Sequence, residues 1–76
     1  MPTLTLKRVN DGVVAVLLES GEPVGNLKWI GGVWKFKAVG YEGADLVPGG
    51  GPLTARHNCT FATLDAAQIS AVLLGA

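Results

Sequence analysis

A chain of 76 residues holds one small domain, residues 1–76, with no room for a second core or a multi-element enzyme scaffold. Hydrophobic residues make up 49% and charged residues 16%, against roughly 25% charged in an average soluble domain, which excludes a disordered acidic or basic tail. Six Lys plus Arg balance six Asp plus Glu, so no whole-molecule field attracts nucleic acid or an anionic membrane, and any such binding needs a local patch.

The first residues, Met1 to Arg8, lack a basic region followed by a long apolar run and do not read as a signal peptide. The longest apolar stretch, Val13 to Leu18, is strand-sized and far short of the roughly 20 residues needed to cross a bilayer. One cysteine, Cys59, makes no internal disulfide and suits a reducing compartment. These points lead us to expect a cytoplasmic protein that does not enter a membrane.

Eleven Gly and four Pro fall between β-rich runs, the pattern of a hairpin-connected antiparallel sheet. Four runs emerge, at about 3–9, 13–19, 24–30 and 33–41. Asn10-Asp11-Gly12 suits a three-residue hairpin with Gly12 in the left-handed position of a bulge, which opposes Val9 to Val13 and sets Arg8, Leu6 and Leu4 against Val14, Val16 and Leu18. Ser20-Gly21-Glu22-Pro23 suits a four-residue turn that opposes Val16 and Val14 to Leu27 and Trp29. Gly31-Gly32 is a two-residue hairpin signal pairing Ile30 with Val33, Trp29 with Trp34, Lys28 with Lys35 and Leu27 with Phe36.

The three turns agree on one apolar face: Leu4, Leu6, Val14, Val16, Leu18, Leu27, Trp29, Trp34, Phe36 and Ala38. A face this apolar needs a cover. The spacing predicts a helix over 64–74, capped by Thr63, with Asp65 in its first turn, Gly75 just past its end, and Ala66, Ile69, Val72 and Leu73 as the docking stripe. Segment 42–58, with Pro48-Gly49-Gly50-Gly51-Pro52, reads as a flexible Gly/Pro-rich loop, and a short fifth strand is expected near 58–61. The predicted fold is therefore α+β: a four-stranded antiparallel β-meander, with that short fifth strand, packed on one face by one C-terminal helix.

On the opposite sheet face the same register gathers Lys7, Lys28, Lys35 and Lys37 with Tyr41. Lysines serve phosphates and a tyrosine can stack on a base, so one reading is a platform for nucleic acid or another anionic ligand. The plain alternative is a solvated face on which lysine discourages edge pairing. Gly32 to Ala38, followed by Thr60-Phe61-Ala62-Thr63 and an Ala-rich helix, resembles the sheet-plus-helix DNA-binding modules of phage integrase arms and AP2-type domains, which lay a three-stranded sheet in the major groove. The likeness covers about half the chain. Overall neutrality, an additional N-terminal strand and the long glycine loop depart from that pattern.

Gly49, Gly50 and Gly51, with Arg56 and His57 beyond them, form a candidate anion-binding loop, although the Lys-Ser/Thr ending of a P-loop is missing. His57 and Cys59 lack an orienting acid, and two ligands are too few for structural zinc, so no metal, cofactor or catalytic group is assigned. Asp11, Glu22, Glu42 and Asp45 fall in turns or the loop and offer no acid/base pair. The helix carries one charge, Asp65, leaving Ala67, Ala71 and Leu74 as an uncharged outer stripe that a homodimer would bury. The expectation is a non-enzymatic binding or interaction module, homodimeric through that helix or a sheet edge, with nucleic-acid binding as the alternative.

Overall fold

A computed structural model describes residues 3–75. In chain order it contains β1 (Thr5–Asn10), β2 (Val13–Leu17), β3 (Pro23–Ile30), β4 (Val33–Glu42), β5 (Asp45–Pro48), a 3-10 turn (Thr54–Arg56), β6 (Thr60–Phe61) and α1 (Ala66–Leu74). The strands form one antiparallel sheet in the order β1-β2-β3-β4-β5, with β6 also on β4. The architecture is the α+β meander with one C-terminal helix read from the sequence, extended by β5. Among the described residues no helix is long and apolar enough to cross a membrane.

The Gly31-Gly32 reversal behaves as expected. Both residues take positive φ, 59° and 83°, the backbone a primed two-residue hairpin requires and side-chain-bearing residues resist. Its register is the predicted one, with Trp29 opposite Trp34, Lys28 opposite Lys35 and Leu27 opposite Phe36.

The first reversal keeps Arg8 opposite Val14 and Leu6 opposite Val16 but pairs Asn10 with Val13, so Val9 is the extra residue of a bulge. Gly12 does not take the expected left-handed backbone. Instead the Asn10 carboxamide Oδ1 accepts the Gly12 N–H at 2.9 Å, a side-chain turn that tightens the reversal without positive φ at Gly12.

The second reversal differs most. Val14 lies opposite Leu27 and Val16 opposite Gly25, two residues from the expected register, because the turn closes earlier, with Leu18 N–H on the Glu22 carbonyl and Gly21 N–H on the Leu18 carbonyl. A slip of two preserves which face each side chain occupies, so the core survives it. Its cost falls on Trp29, which now lies beyond Val13, the first β2 residue, and is 50% exposed; its ring keeps contact with Trp34, centroids 5.3 Å apart. The expectation that the apolar face buries both tryptophans therefore fails at Trp29.

Leu4, Val14, Val16, Leu27, Phe36 and Ala38 are buried as expected, joined by Val24, Leu53 and Phe61. The Phe36 ring lies on Gly25, where a side chain would collide with it. The helix starts two residues later than predicted because Asp65, not Thr63, is its cap, accepting the N–H groups of Ala67 at 3.0 Å and Gln68 at 3.2 Å. Gly75 ends it at φ 68°. Ile69, Ser70 and Leu73 are its buried residues, while Val72 is 40% exposed and Ala66 faces solvent. The Ser70 hydroxyl accepts the Leu4 N–H at 3.0 Å, and that bond turns the serine inward in place of Val72.

Candidate anion-binding cleft

Cross-strand pairing places the four lysines on one face. Val13, Lys28, Lys35 and Thr60 form one row; Lys7, Ala15, Asn26 and Lys37 form the next. Beyond them, Val39 pairs with Pro48 and Tyr41 with Leu46. Lys28 and Lys35 stand directly opposed, a like-charge pairing that repels unless it is screened. The strand positions of this face hold no carboxylate. Glu42 and Asp45 oppose each other at the end of the β4–β5 hairpin, and alternation turns them to the other face. Asp65 caps α1, Glu19 accepts from the Thr3 N–H, and the ion pair found among the described residues is Arg8–Asp11 at 3.6 Å.

Segment 42–58 carries β5 and the 3-10 turn, and its glycines are tied to the sheet. Gly49 N–H donates to the Ala38 carbonyl at 2.7 Å and Gly50 N–H to the Val47 carbonyl at 3.1 Å. Gly51, at φ 86°, packs directly on the backbone of Val39 and Gly40. The amides of Gly49 and Gly50 thus already have acceptors and are not aimed at a shared anion. Arg56 points the other way: its Nη2 lies beside Gly75, where the C-terminal carbonyls of α1 favour a cation. Of the expected loop set, Gly49 and His57 join the lysine face, while Arg56 lines a separate depression with Pro52, Leu53 and Gly75.

His57 closes the gap on the outer edge of β4. β6 covers Trp34 and Lys35, β5 covers Val39 to Glu42, and between them the Ala38 N–H donates to His57 Nδ1 at 3.1 Å. A neutral imidazole that accepts at Nδ1 carries its proton on Nε2, which lies beside Gly49 and adds a donor to the face. Next to it, Lys37 Nζ donates to Asn58 Oδ1 at 2.6 Å; Asn58 itself takes φ 75°, a left-handed backbone that asparagine tolerates.

Together these elements enclose a cleft of about 380 Å³ lined by Asn26, Lys28, Lys37, Ala38, Val39, Leu46, Pro48, Gly49 and His57. The lining combines Lys28, Lys37 and His57 with the apolar residues Val39, Leu46 and Pro48, a composition suited to holding an anion. Lys7, Lys35 and the exposed Tyr41 share the face but do not line the cleft. Cys59 is a half-buried free thiol packed against the core. Among the described residues no three His, Cys, Asp or Glu side chains group as metal ligands.

The sequence reading did not include Asn26 or Leu46, and it placed Pro48 in the neighbouring loop, Pro48 to Asn58, rather than on a strand of this face. Asn26 was legible from the Gly31-Gly32 register, which opposes it to Lys37. Leu46 and Pro48 depended on reading Glu42-Gly43-Ala44-Asp45 as a hairpin, and the prolines and glycines after it masked that signal. No family model, no curated protein and no solved structure matches this chain.

Proposed function

We propose that this chain is a non-enzymatic binding module that takes an anionic partner on its lysine-bearing sheet face. The observation that carries the reading is charge segregation: Lys7, Lys28, Lys35 and Lys37 share one face while the strand carboxylates Glu42 and Asp45 sit on the other. In a neutral chain such separation creates a local positive field where the molecule as a whole has none. The non-enzymatic part rests on the donor set, since His57 Nδ1 is held by a backbone N–H and, among the described residues, no carboxylate lines the cleft to act as a base.

Nucleic acid is the second reading, favoured by Tyr41, which is 57% exposed on the lysine face and offers a ring for a base. The uncharged outer side of α1, with Ala67, Ala71 and Val72 exposed, supports pairing with a second copy of the chain, and the free thiol of Cys59 suits the reducing cytoplasm.

Titrating short single- and double-stranded oligonucleotides and small organic anions at low and moderate salt, with backbone amide shifts as readout, tests both readings. Salt-dependent shifts confined to the lysine face support anion binding, and a steep salt slope with the oligonucleotide alone selects nucleic acid. Silence across that face for every anion contradicts both.

A further inference from the structure

We infer that the cleft between β3, β4 and the β5-to-His57 segment binds a small organic anion, a carboxylate or phosphate head joined to a compact apolar body. The inference rests on the anion-binding reading above and narrows it to one ligand class and one place.

The volume, about 380 Å³, lies at the low end of the roughly 300–1,000 Å³ of small-molecule sites. That suits a ring-sized ligand rather than a polymer laid across the sheet. Its two ends differ chemically. By strand register Lys28 and Lys37 lie toward one end of the lining and Val39, Pro48 and Leu46 toward the other, with His57 beside Gly49. A bare inorganic anion would leave the apolar end wet, and a neutral hydrocarbon would leave two ammonium groups unpaired, so a ligand carrying both parts satisfies the site best.

Three further observations point the same way. The Asn26 carboxamide is half-buried and, among the described residues, makes no side-chain hydrogen bond to the protein, so its donors and acceptor remain for a ligand. The bond to Asn58 fixes the Lys37 ammonium in place before binding, which lowers the ordering cost. An anion at the head position also screens the repulsion between Lys28 and the directly opposed Lys35.

The test is isothermal calorimetry on the full chain with phenyl phosphate and benzoate. Benzamide serves as the neutral control, inorganic phosphate and acetate as heads without a body, and a short single-stranded oligonucleotide as the polymer. Phenyl phosphate or benzoate, whichever head the site prefers, should bind at least about tenfold more tightly than benzamide or the bare anions, the range expected for one charge-assisted contact. Lys28→Gln should weaken that binding about tenfold, whereas Lys7→Gln, on the same face outside the cleft, should change it by less than about twofold. Leu46→Ala should weaken phenyl phosphate and leave inorganic phosphate unchanged. All three substitutions fall at exposed positions, and unchanged thermal melting confirms that the variants fold. Benzamide binding as tightly as the preferred aromatic anion, equal losses in Lys7→Gln and Lys28→Gln, or tight binding of the oligonucleotide alone would overturn the inference, the last leaving the wider anion-binding reading intact. Heat from none of the anions would overturn both.

Discussion

The imidazole of His57 takes the place of a neighbouring strand: its Nδ1 accepts the Ala38 N–H at 3.1 Å, while Gly49 N–H serves the Ala38 carbonyl at 2.7 Å. The buried backbone of Ala38 is thereby satisfied within the Phe36–Ala38 stretch that neither β5 nor β6 covers, where Phe36 bonds instead to the backbone of Asn58 and Cys59. Replacing His57 with alanine strands that N–H, at a cost of about 1–3 kcal/mol. Asparagine, whose Oδ1 can approach the same position, should recover part of it. Chemical denaturation of the two variants, with amide exchange at Ala38 as the local readout, checks this; equal stability of wild type and His57→Ala would refute it.

The contact between Gly51 and the Val39–Gly40 backbone leaves no space for a side chain, and Gly51 has φ 86°. Gly43 also has positive φ, 63°, but nothing lies near it. Gly43→Ala should therefore cost about 1–2 kcal/mol from backbone conformation alone. Gly51→Ala should cost clearly more and should detach the wall that carries Leu46 and Pro48. Urea midpoints for the pair separate the two contributions.

Ser70 is the buried polar residue of α1, and its hydroxyl is the acceptor for the Leu4 N–H. Ser70→Ala should destabilise the fold by about 1–3 kcal/mol because that donor is left buried without a partner. Faster exchange at the Leu4 amide should accompany the loss; unchanged exchange would mean the bond holds nothing.

The contrast between Ser70 and Val72 also marks where a sequence stops specifying a fold. Periodicity places a helix here, but a rule that counts apolar residues favours Val72 for the buried side, and the hydrogen bond to Leu4, 66 positions away in the chain, decides otherwise. Gly31-Gly32 was fully legible because both conformation and register are local to the two glycines. The Ser20–Pro23 turn was legible only to the face, because the bonds that close it begin at Leu18 and a shift of two residues leaves hydrophobic alternation unchanged. The lysine face followed from register. The cleft did not: its apolar residues Leu46 and Pro48 needed β5, whose local hairpin the prolines and glycines after it masked, and its imidazole needed the bond from Ala38, 19 positions away in the chain.

That register shift leaves a spectroscopic mark. Trp29 is half-exposed and Trp34 less so, so a Trp34→Phe variant, reporting Trp29 alone, should show red-shifted emission and strong acrylamide quenching. A Trp29→Phe variant should be bluer and better protected. Equal quenching of the two would contradict the position of Trp29 beyond the start of β2.

The most direct test of the binding surface is the backbone amide shift map on adding phenyl phosphate at low salt. The changes should cluster at Asn26, Lys28, Lys37, Val39, Leu46, Gly49 and His57. Shifts centred instead on Arg56 and Gly75 at the end of α1, or none on the lysine-bearing face, would contradict it.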